Sequence, residues 1–459
     1  MSRRLLAPVS SVRRSACVAG LAAGVLLAGC GDDRGPVHDG PSVVLVVVDT
    51  LRADRLGCYG NPEAPSPVMD ALAADGVLFE AAFAQSSWTR PSFASFLTGR
   101  VPRATGIHRE EGDALHPRFT TLAEYLNQAG YTTIGATANP NVNTVFGLAQ
   151  GFDRYYDSEV VFGWMDVEEG QEIAGGDEPI QSADEIFGLV LDAVGDASLE
   201  PYFLMVDVME VHEYHGLVNP ARDLMGLTDA ERIRRYDESI RDVDAALGRF
   251  LEALRAKPGF EDALVILTSD HGEGLGDHPD VQGAIGHGFV VYNSQAHVPL
   301  ILADGDGPLE PGTVVEGPAR LLDLLPTVLD HVGLEVPSGL DGRSLLPLVR
   351  GEEDPTTRPR PVVVETRFRN ADKLAWFGPD YRLVVNRDQH PGTAPIELFP
   401  VAVVENGAAN NAAGEFPDLV QELADKLSTW ERLNPMAEAW TPEDGIPEDV
   451  QKQLKGVGY

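Results

Sequence analysis

The segment Val43–Val48 reads VVLVVV and runs straight into Asp49. An unbroken β-branched run without polar alternation is the pattern of a strand buried on both faces, as in a parallel sheet covered by helices. An acid at the carboxyl end of such a strand lies where open α/β sheets bind ligands. Leu264–Thr268 repeats the arrangement: an apolar strand that ends in SDHGEGLGDH.

Between and after these two strands the chain alternates. Ser66 and Pro67 open a helix that Gly76 closes, and Val77–Phe79 is a short strand. Thr121 and Glu124 form a capping box for a helix to Ala129, followed by a strand from Tyr131 to Ala136. Ala183–Val194 reads as a helix, Tyr202–Val208 as a strand, Ile240–Leu254 as an amphipathic helix and Val298–Leu302 as a strand. Leu321–Val332 reads as a helix in which Pro326 predicts a kink. The alternation predicts an α/β fold: a large domain whose mostly parallel central sheet lies between helices, over 42–350. From Gly351 the pattern changes to closely spaced strands at Pro361–Glu365, Lys373–Phe377, Tyr381–Val385 and Ile396–Phe399. A helix follows with Leu419, Val420, Leu423, Leu427 and Trp430 on one face. This predicts a small C-terminal α+β domain, an antiparallel sheet covered by that helix, over 351–434. The acidic, glycine-rich stretch 157–180 reads as a surface excursion, and 435–459 as a loose polar tail.

The first 29 residues differ from the rest. Arg3, Arg4, Arg13 and Arg14 precede an apolar run from Ala16 to Ala28, which is short for a bilayer span, and the run ends in Leu27, Ala28, Gly29, Cys30. That box resembles a bacterial lipoprotein signal, which implies lipidation at Cys30, a tether over 30–41 and a membrane-anchored place in the cell envelope. The chain carries a formal charge of -36. Removing 1–29, which holds four arginines and no acids, takes it to -40. Such a surface argues against a nucleic-acid partner. Cys17, Cys30 and Cys58 are the only cysteines, so processing leaves one thiol and no disulfide framework.

The chemistry centres on WTRPSFASFLTGR, Trp88–Arg100. Pro91 suits a first helical turn and Gly99 a left-handed stop, which puts Thr89 at the helix mouth, where free amides and the helix dipole favour an anion. Asp49, Thr89, Asp270 and His271 together make a mixed oxygen and nitrogen donor set for one divalent cation, with Ca, Mn, Zn and Mg not distinguished. Taken singly, each acid reads equally as a cap or a polar turn; at the ends of two apolar strands they read as a site. Arg52 and Asn139 are weaker candidates for orienting ligands, against a salt bridge for one and a turn cap for the other.

In chain order, VVLVVVDTLRADRLGCYG, TRPSFASFLTGR, TSDHGEGLGDH, GHGFVVYNSQAHVPLIL and LDGRSLLPLVRGE resemble blocks of the sulfatase family of the alkaline phosphatase superfamily. The resemblance implies an alkaline-phosphatase-like domain, metal ligands at Asp49, Asp270 and His271, and a nucleophile at Thr89. It also aligns His212, in MEVHEYH, and His287, in GHG, with histidines that hold a substrate oxygen or protonate a leaving group. His215 and His278 have no such assignment. The family's pattern of Cys or Ser, any residue, Pro, Ser, Arg appears here as Thr89, Arg90, Pro91, Ser92, Phe93. Oxidised threonine would be a ketone, so the formylglycine route of sulfatases is closed. The lysine expected near Thr137, Ala138 and Asn139 is missing too. A threonine nucleophile resembles the phosphorus-handling relatives, so the expected substrate is an anionic phosphate (di)ester or sulfate ester, on a glycan or lipid. The rival readings are an inactive sulfatase fold that binds anionic glycans and an envelope phosphoethanolamine or phosphoglycerol transferase.

Overall fold

The structure is a computed structural model that describes residues 38–110, 112–157, 182–195, 201–214, 226–281, 284–443 and 445–456. The leader with Cys30, nearly all of the 157–180 segment, and His215 therefore lie outside the described residues.

In chain order the strands are β1 Val43–Val48, β2 Val77–Phe79, β3 Ala82–Phe83, β4 Thr132–Thr137, β5 Arg154–Tyr156, β6 Tyr202–Val208 and β7 Leu264–Thr268. They continue with β8 Leu300–Ala303, β9 Thr313–Val315, β10 Ala319–Arg320, β11 Val362–Thr366, β12 Lys373–Phe377, β13 Tyr381–Asn386 and β14 Ile396–Pro400. Eight form one sheet in the order β5-β4-β6-β1-β7-β8-β2-β9. The pairs of β1 with β6 and β7, and of β4 with β5 and β6, are parallel, and β8 runs against both of its neighbours. β3 pairs with β10 apart from this sheet.

The central place of β1 explains its composition. Val43, Leu45 and Val47 enter one apolar core while Val44, Val46 and Val48 enter the core on the other face, so every position is buried. Because β1, β4, β6 and β7 run the same way, their carboxyl ends share one edge. Val47 stands beside both Asp207 and Thr268, and Asp207 stands beside Thr137. That shared edge carries the site.

The expected strands and helices form with small shifts of their ends. One helix is longer than its apolar period suggests. It spans Asp229–Arg255, because Thr228 and Glu231 form a capping box well before the first regular apolar position and Arg232 and Tyr236 are buried in its early turns. The expected kink at Pro326 does not arise inside a helix. Leu321–Asp323 is a 3-10 turn and the α-helix starts at Leu324, which leaves Pro326 in a first turn, where its missing N–H is not needed.

β11, β12, β13 and β14 form a four-stranded antiparallel sheet. One face packs Val363, Leu374, Leu383 and Leu398 against Leu423 and Leu427 of the helix Pro417–Leu433. The opposite face packs Val362, Val364 and Phe399 against Val290, Val291 and Tyr292 of the large domain. The chain beyond Asn434 corrects the expectation of a loose tail. The Ala437 amide donates to the Arg103 carbonyl, the Ala114 amide donates to the Trp440 carbonyl, and Val450 and Leu454 of the last helix are buried in the main core. The polar average of this segment hid two apolar residues four apart, which is one helical face.

Candidate active site

The site is assembled from strand ends. Asp49 follows β1, Asp270 and His271 follow β7, His212 follows β6 and Asn139 follows β4. Thr89 opens the helix Thr89–Thr98, whose Gly99 stop has φ 65°. The residue before it, Trp88, makes no side-chain cap. Ser92, one turn in, donates from its hydroxyl to the Asp270 carbonyl at 2.6 Å. This ties the helix mouth to the β7 loop. Where the chain leaves β1, Thr50 adopts φ 60°, a left-handed conformation costly for a β-branched residue. It is held there by its hydroxyl on the Asp49 carbonyl and its amide, which donates to Asp270 Oδ1 at 3.3 Å.

Asp49, Asp270 and His271 form a group whose donor atoms lie within 4.8 Å of one another, and all three are buried. His271 Nδ1 lies 2.9 Å from the Gly272 carbonyl, which makes Nδ1 the protonated nitrogen and turns the Nε2 lone pair to the site. Nε2 then faces Asp270 Oδ2 at 3.3 Å, Asp49 Oδ1 at 3.9 Å and the Thr89 hydroxyl at 3.3 Å. Asp49 Oδ1 and Asp270 Oδ2 have no hydrogen-bond partner. Burial holds His271 below its ordinary value, hence neutral, so it offers no proton to the acids. Burial, with Asp270 and Asp207 nearby, pushes Asp49 well above the usual carboxylate range. Converging lone pairs without a donor fit a divalent cation, and the mixed carboxylate, imidazole and hydroxyl set suits one. It is the one such group among the described residues.

The other expected residues gather here as well. The His287 ring lies 4.6 Å from that of His271 and 5.1 Å from that of His212. Both His287 and His212 hold a carboxylate at Nδ1: His287 with Glu273 and His212 with Glu213, each at 2.9 Å. Glycines set the first pair. Gly274 and Gly286 exchange backbone hydrogen bonds, and a Cβ on Gly274 would meet the Ala284 carbonyl oxygen at 1.7 Å, so only glycine allows the two loops to touch. Burial works against a charge on His212, but Glu213 and Asp49 outweigh it and raise its value to about 10. Burial raises Glu273 to about 8, even with His212 and Arg52 nearby.

Of the weaker candidates, Asn139 combines both of its readings. Its Oδ1 accepts from the Asn141 amide as a turn cap, and its Nδ2 donates to Asp49 Oδ2. Arg52 is a salt-bridge residue, buried rather than superficial: it pairs with Asp54 and Asp277 and donates to the Glu273 carbonyl. His278 binds the Glu405 carbonyl and the Ser294 hydroxyl and takes no part in the site. Phe93, where the family pattern has arginine, lies in the core against Phe96 with ring centres 4.7 Å apart. Glu213 and Glu273 escaped the sequence reading, although the EGLGDH and GHG glycines marked a close loop contact. Asp207 is buried, accepts from the Thr137 hydroxyl at 2.7 Å and leaves Oδ1 without a partner.

Residues 41–334 match the Sulfatase family. The chain is 27% identical over 439 residues to the steryl-sulfatase of Mus musculus, covering 73% of this chain and 69% of that one. It is 25% identical over 498 residues to the multifunctional alkaline phosphatase superfamily protein PehA of Trinickia caryophylli, covering 85% and 95%. It spans about two thirds of the length of the N-acetylgalactosamine-6-sulfatases it matches. In structure it is similar to the phosphonate monoester hydrolase of Agrobacterium radiobacter, with a TM-score of 0.66, 24% identity and coverage of 86% and 96%. The α/β architecture with a small antiparallel C-terminal sheet is the one these structures share. The chain belongs to the sulfatase family, hydrolases of sulfuric and phosphoric esters within the alkaline phosphatase superfamily.

Proposed function

We propose that this protein is a metal-dependent hydrolase of phosphate (di)esters or sulfate esters with Thr89 as nucleophile, anchored in the cell envelope by lipid on Cys30. One observation carries the reading. A threonine hydroxyl at an uncapped helix mouth lies 3.3 Å from His271 Nε2, against two buried carboxylate oxygens that have no partner. Asp49, Thr89, Asp270 and His271 would hold a divalent cation, which would lower the pKa of the threonine hydroxyl and neutralise charge on the transferring group.

The chain's own residues supply the rest. The first-turn amides of the Thr89–Thr98 helix and His287 orient the anionic ester, and Glu273 fixes the His287 ring. Thr89 Oγ1 forms a bond to phosphorus or sulfur as the bond to the leaving oxygen breaks. That oxygen takes a proton from Nε2 of His212, whose Nδ1 is held by Glu213. Water then attacks the threonyl ester and releases Thr89, so that ester and water become alcohol and acid. The complete burial of Thr89 keeps bulk water from competing with it. An envelope protein processed after Gly29 fits the apolar leader and the polar tether.

The test joins metal analysis of the purified protein to mass spectrometry of the peptide bearing Thr89 after rapid quench with substrate. A phospho- or sulfo-threonine is expected, together with bound metal in both wild type and Thr89→Ala. Turnover that survives Thr89→Ala sinks the reading.

A further inference from the structure

The turn that follows Asp49 is strained, and much of what restrains it comes from distant parts of the chain. Thr50 is one of two non-glycine residues with positive φ among the described residues. At φ 60° the Cβ of a β-branched residue crowds its own backbone, so the conformation lasts only where the surroundings impose it. Asp49 still belongs to the sheet, since its amide donates to the Val208 carbonyl at 3.0 Å. From Thr50 on, the chain leaves the ladder and other groups hold it.

Two side chains do so. Tyr236, on the helix Asp229–Arg255, is buried, and its hydroxyl donates to the Thr50 carbonyl at 2.6 Å and accepts from the Arg52 amide at 2.9 Å. One phenol thus spans both flanks of Leu51. Burial raises this phenol well above its ordinary value, so it remains a donor. Arg232, one turn earlier on the same helix, donates to the Leu275 carbonyl at 3.2 Å and ties that helix to the loop after β7. From the other side, the Ser269 hydroxyl accepts from the Leu51 amide at 2.8 Å and donates to the His271 carbonyl at 2.6 Å. It joins the turn after Asp49 to the segment that carries Asp270 and His271.

On the reading that Asp49, Asp270 and His271 hold a divalent cation, we infer that Tyr236 and Ser269 are positioning residues: Tyr236 holds Thr50 in its left-handed turn, and Ser269 sets the spacing of the two segments, so that the three donor atoms converge. Asn139 acts on the Asp49 carboxylate itself, through Nδ2, whereas these two hydroxyls act on the backbone behind it. Without the phenol hydroxyl, Thr50 relaxes towards negative φ, its amide leaves Asp270 Oδ1, and the Asp49 carboxylate moves off its partners. Donor atoms that must close on one ion tolerate little of that displacement.

The test measures Mn²⁺ affinity of the full chain by competitive chelation, normalised to folded protein. Tyr236→Phe keeps the ring and its edge contact with Tyr214 at 5.5 Å, and is expected to bind Mn²⁺ about 10–100-fold more weakly. Adding Thr50→Gly should restore affinity to within about three-fold of wild type, since glycine takes the left-handed turn without help. Ser269→Ala is expected to lose about 10-fold with either residue at position 50, because its bond to Leu51 does not depend on the strain. Unchanged affinity in folded Tyr236→Phe or Ser269→Ala overturns the inference. So does a Tyr236→Phe loss that Thr50→Gly leaves in place, because a phenol that only filled the core would be blind to the residue at 50. If Tyr236→Phe alone does not fold, the pair with Thr50→Gly decides: recovery of both fold and Mn²⁺ binding supports the inference, and failure of either overturns it. A wild type that binds none of Mn²⁺, Zn²⁺, Ca²⁺ and Mg²⁺ removes the metal reading itself, and this inference falls with it.

Discussion

Two of the buried clusters of charge, one at the strand ends and one where the large domain meets the C-terminal one, are built on opposite principles. At the strand ends, Asp49 and Asp270 meet His271 with Asp207 on the same edge, and each of the three acids keeps an oxygen without a partner. Around Arg360, by contrast, every charge is matched. Its guanidinium contacts Asp323 at 3.3 Å and Glu353 at 3.0 Å and donates to the Arg343 and Ser344 carbonyls, while Asp323 also receives Arg320 and the Arg343 amide. The second cluster fastens the 341–360 segment to the body of the domain. The first leaves buried carboxylate oxygens without a donor, which marks it as a candidate ligand site. A satisfied cluster serves the fold, whereas unsatisfied atoms point to a ligand.

The sharpest break of this comparison is Thr89→Ala. Turnover is expected to fall by at least about 10³-fold with an unchanged melting temperature, because the site loses its nucleophile and the fold loses one small hydroxyl. Paired rate and melting measurements check this. Arg360→Met should do the reverse: stability falls by about 1–3 kcal/mol, since Asp323 keeps Arg320 and Glu353 keeps Arg343 and Arg358 but both lose a buried donor, and the folded fraction keeps its specific activity. Denaturant titration beside an assay normalised to folded protein tests it. Asn139→Ala lies between the two. It removes the donor on Asp49 Oδ2, so metal affinity should drop about 10–100-fold by competitive chelation with the global fold retained.

Smaller effects follow the charges. The Glu213 partner raises His212 to about 10, so its stabilising effect is complete below the ordinary value of 6.5 and disappears as pH rises through about 10. The melting-temperature gap between the metal-free wild type and His212→Gln should therefore shrink from pH 6.5 to pH 10; a gap that widens refutes the assignment. The smallest effect concerns approach. Because the surface repels anions, kcat/KM on a singly charged ester should rise about two-fold between ~0.01 and ~0.15 M salt, and a fall would mean an attractive funnel.

The strands and the three residues that converge at their ends, Asp49, Asp270 and His271, were legible because their signals are local. An apolar run ending in an acid is complete within seven residues, as Val43–Asp49 shows. Asn139 as the donor to Asp49 was not legible, since that pairing joins the ends of different strands; nor were the carboxylate partners of His212 and His287, since neither adjacency nor a shared loop says which way the side chains turn. Glu273 and His287 are 14 residues apart, and their meeting depends on two glycines that let backbones touch. The tail was misread because two buried residues, Val450 and Leu454, outweigh a polar average once a core is there to receive them.

The sequence by itself determined that β1 and β7 would be buried strands with acids at their ends and that Thr89 would open a helix. Those facts are carried by periodicity, capping and residue identity over a few neighbouring positions. Only the tertiary structure decided that the acids would converge with lone pairs facing one another, that Arg52, Arg90 and Phe93 would be turned to other partners, and that two glutamates would stand behind the histidines. Parallel strands bring their carboxyl ends to one edge regardless of distance along the chain, and the charge balance at that edge exists only once they are side by side.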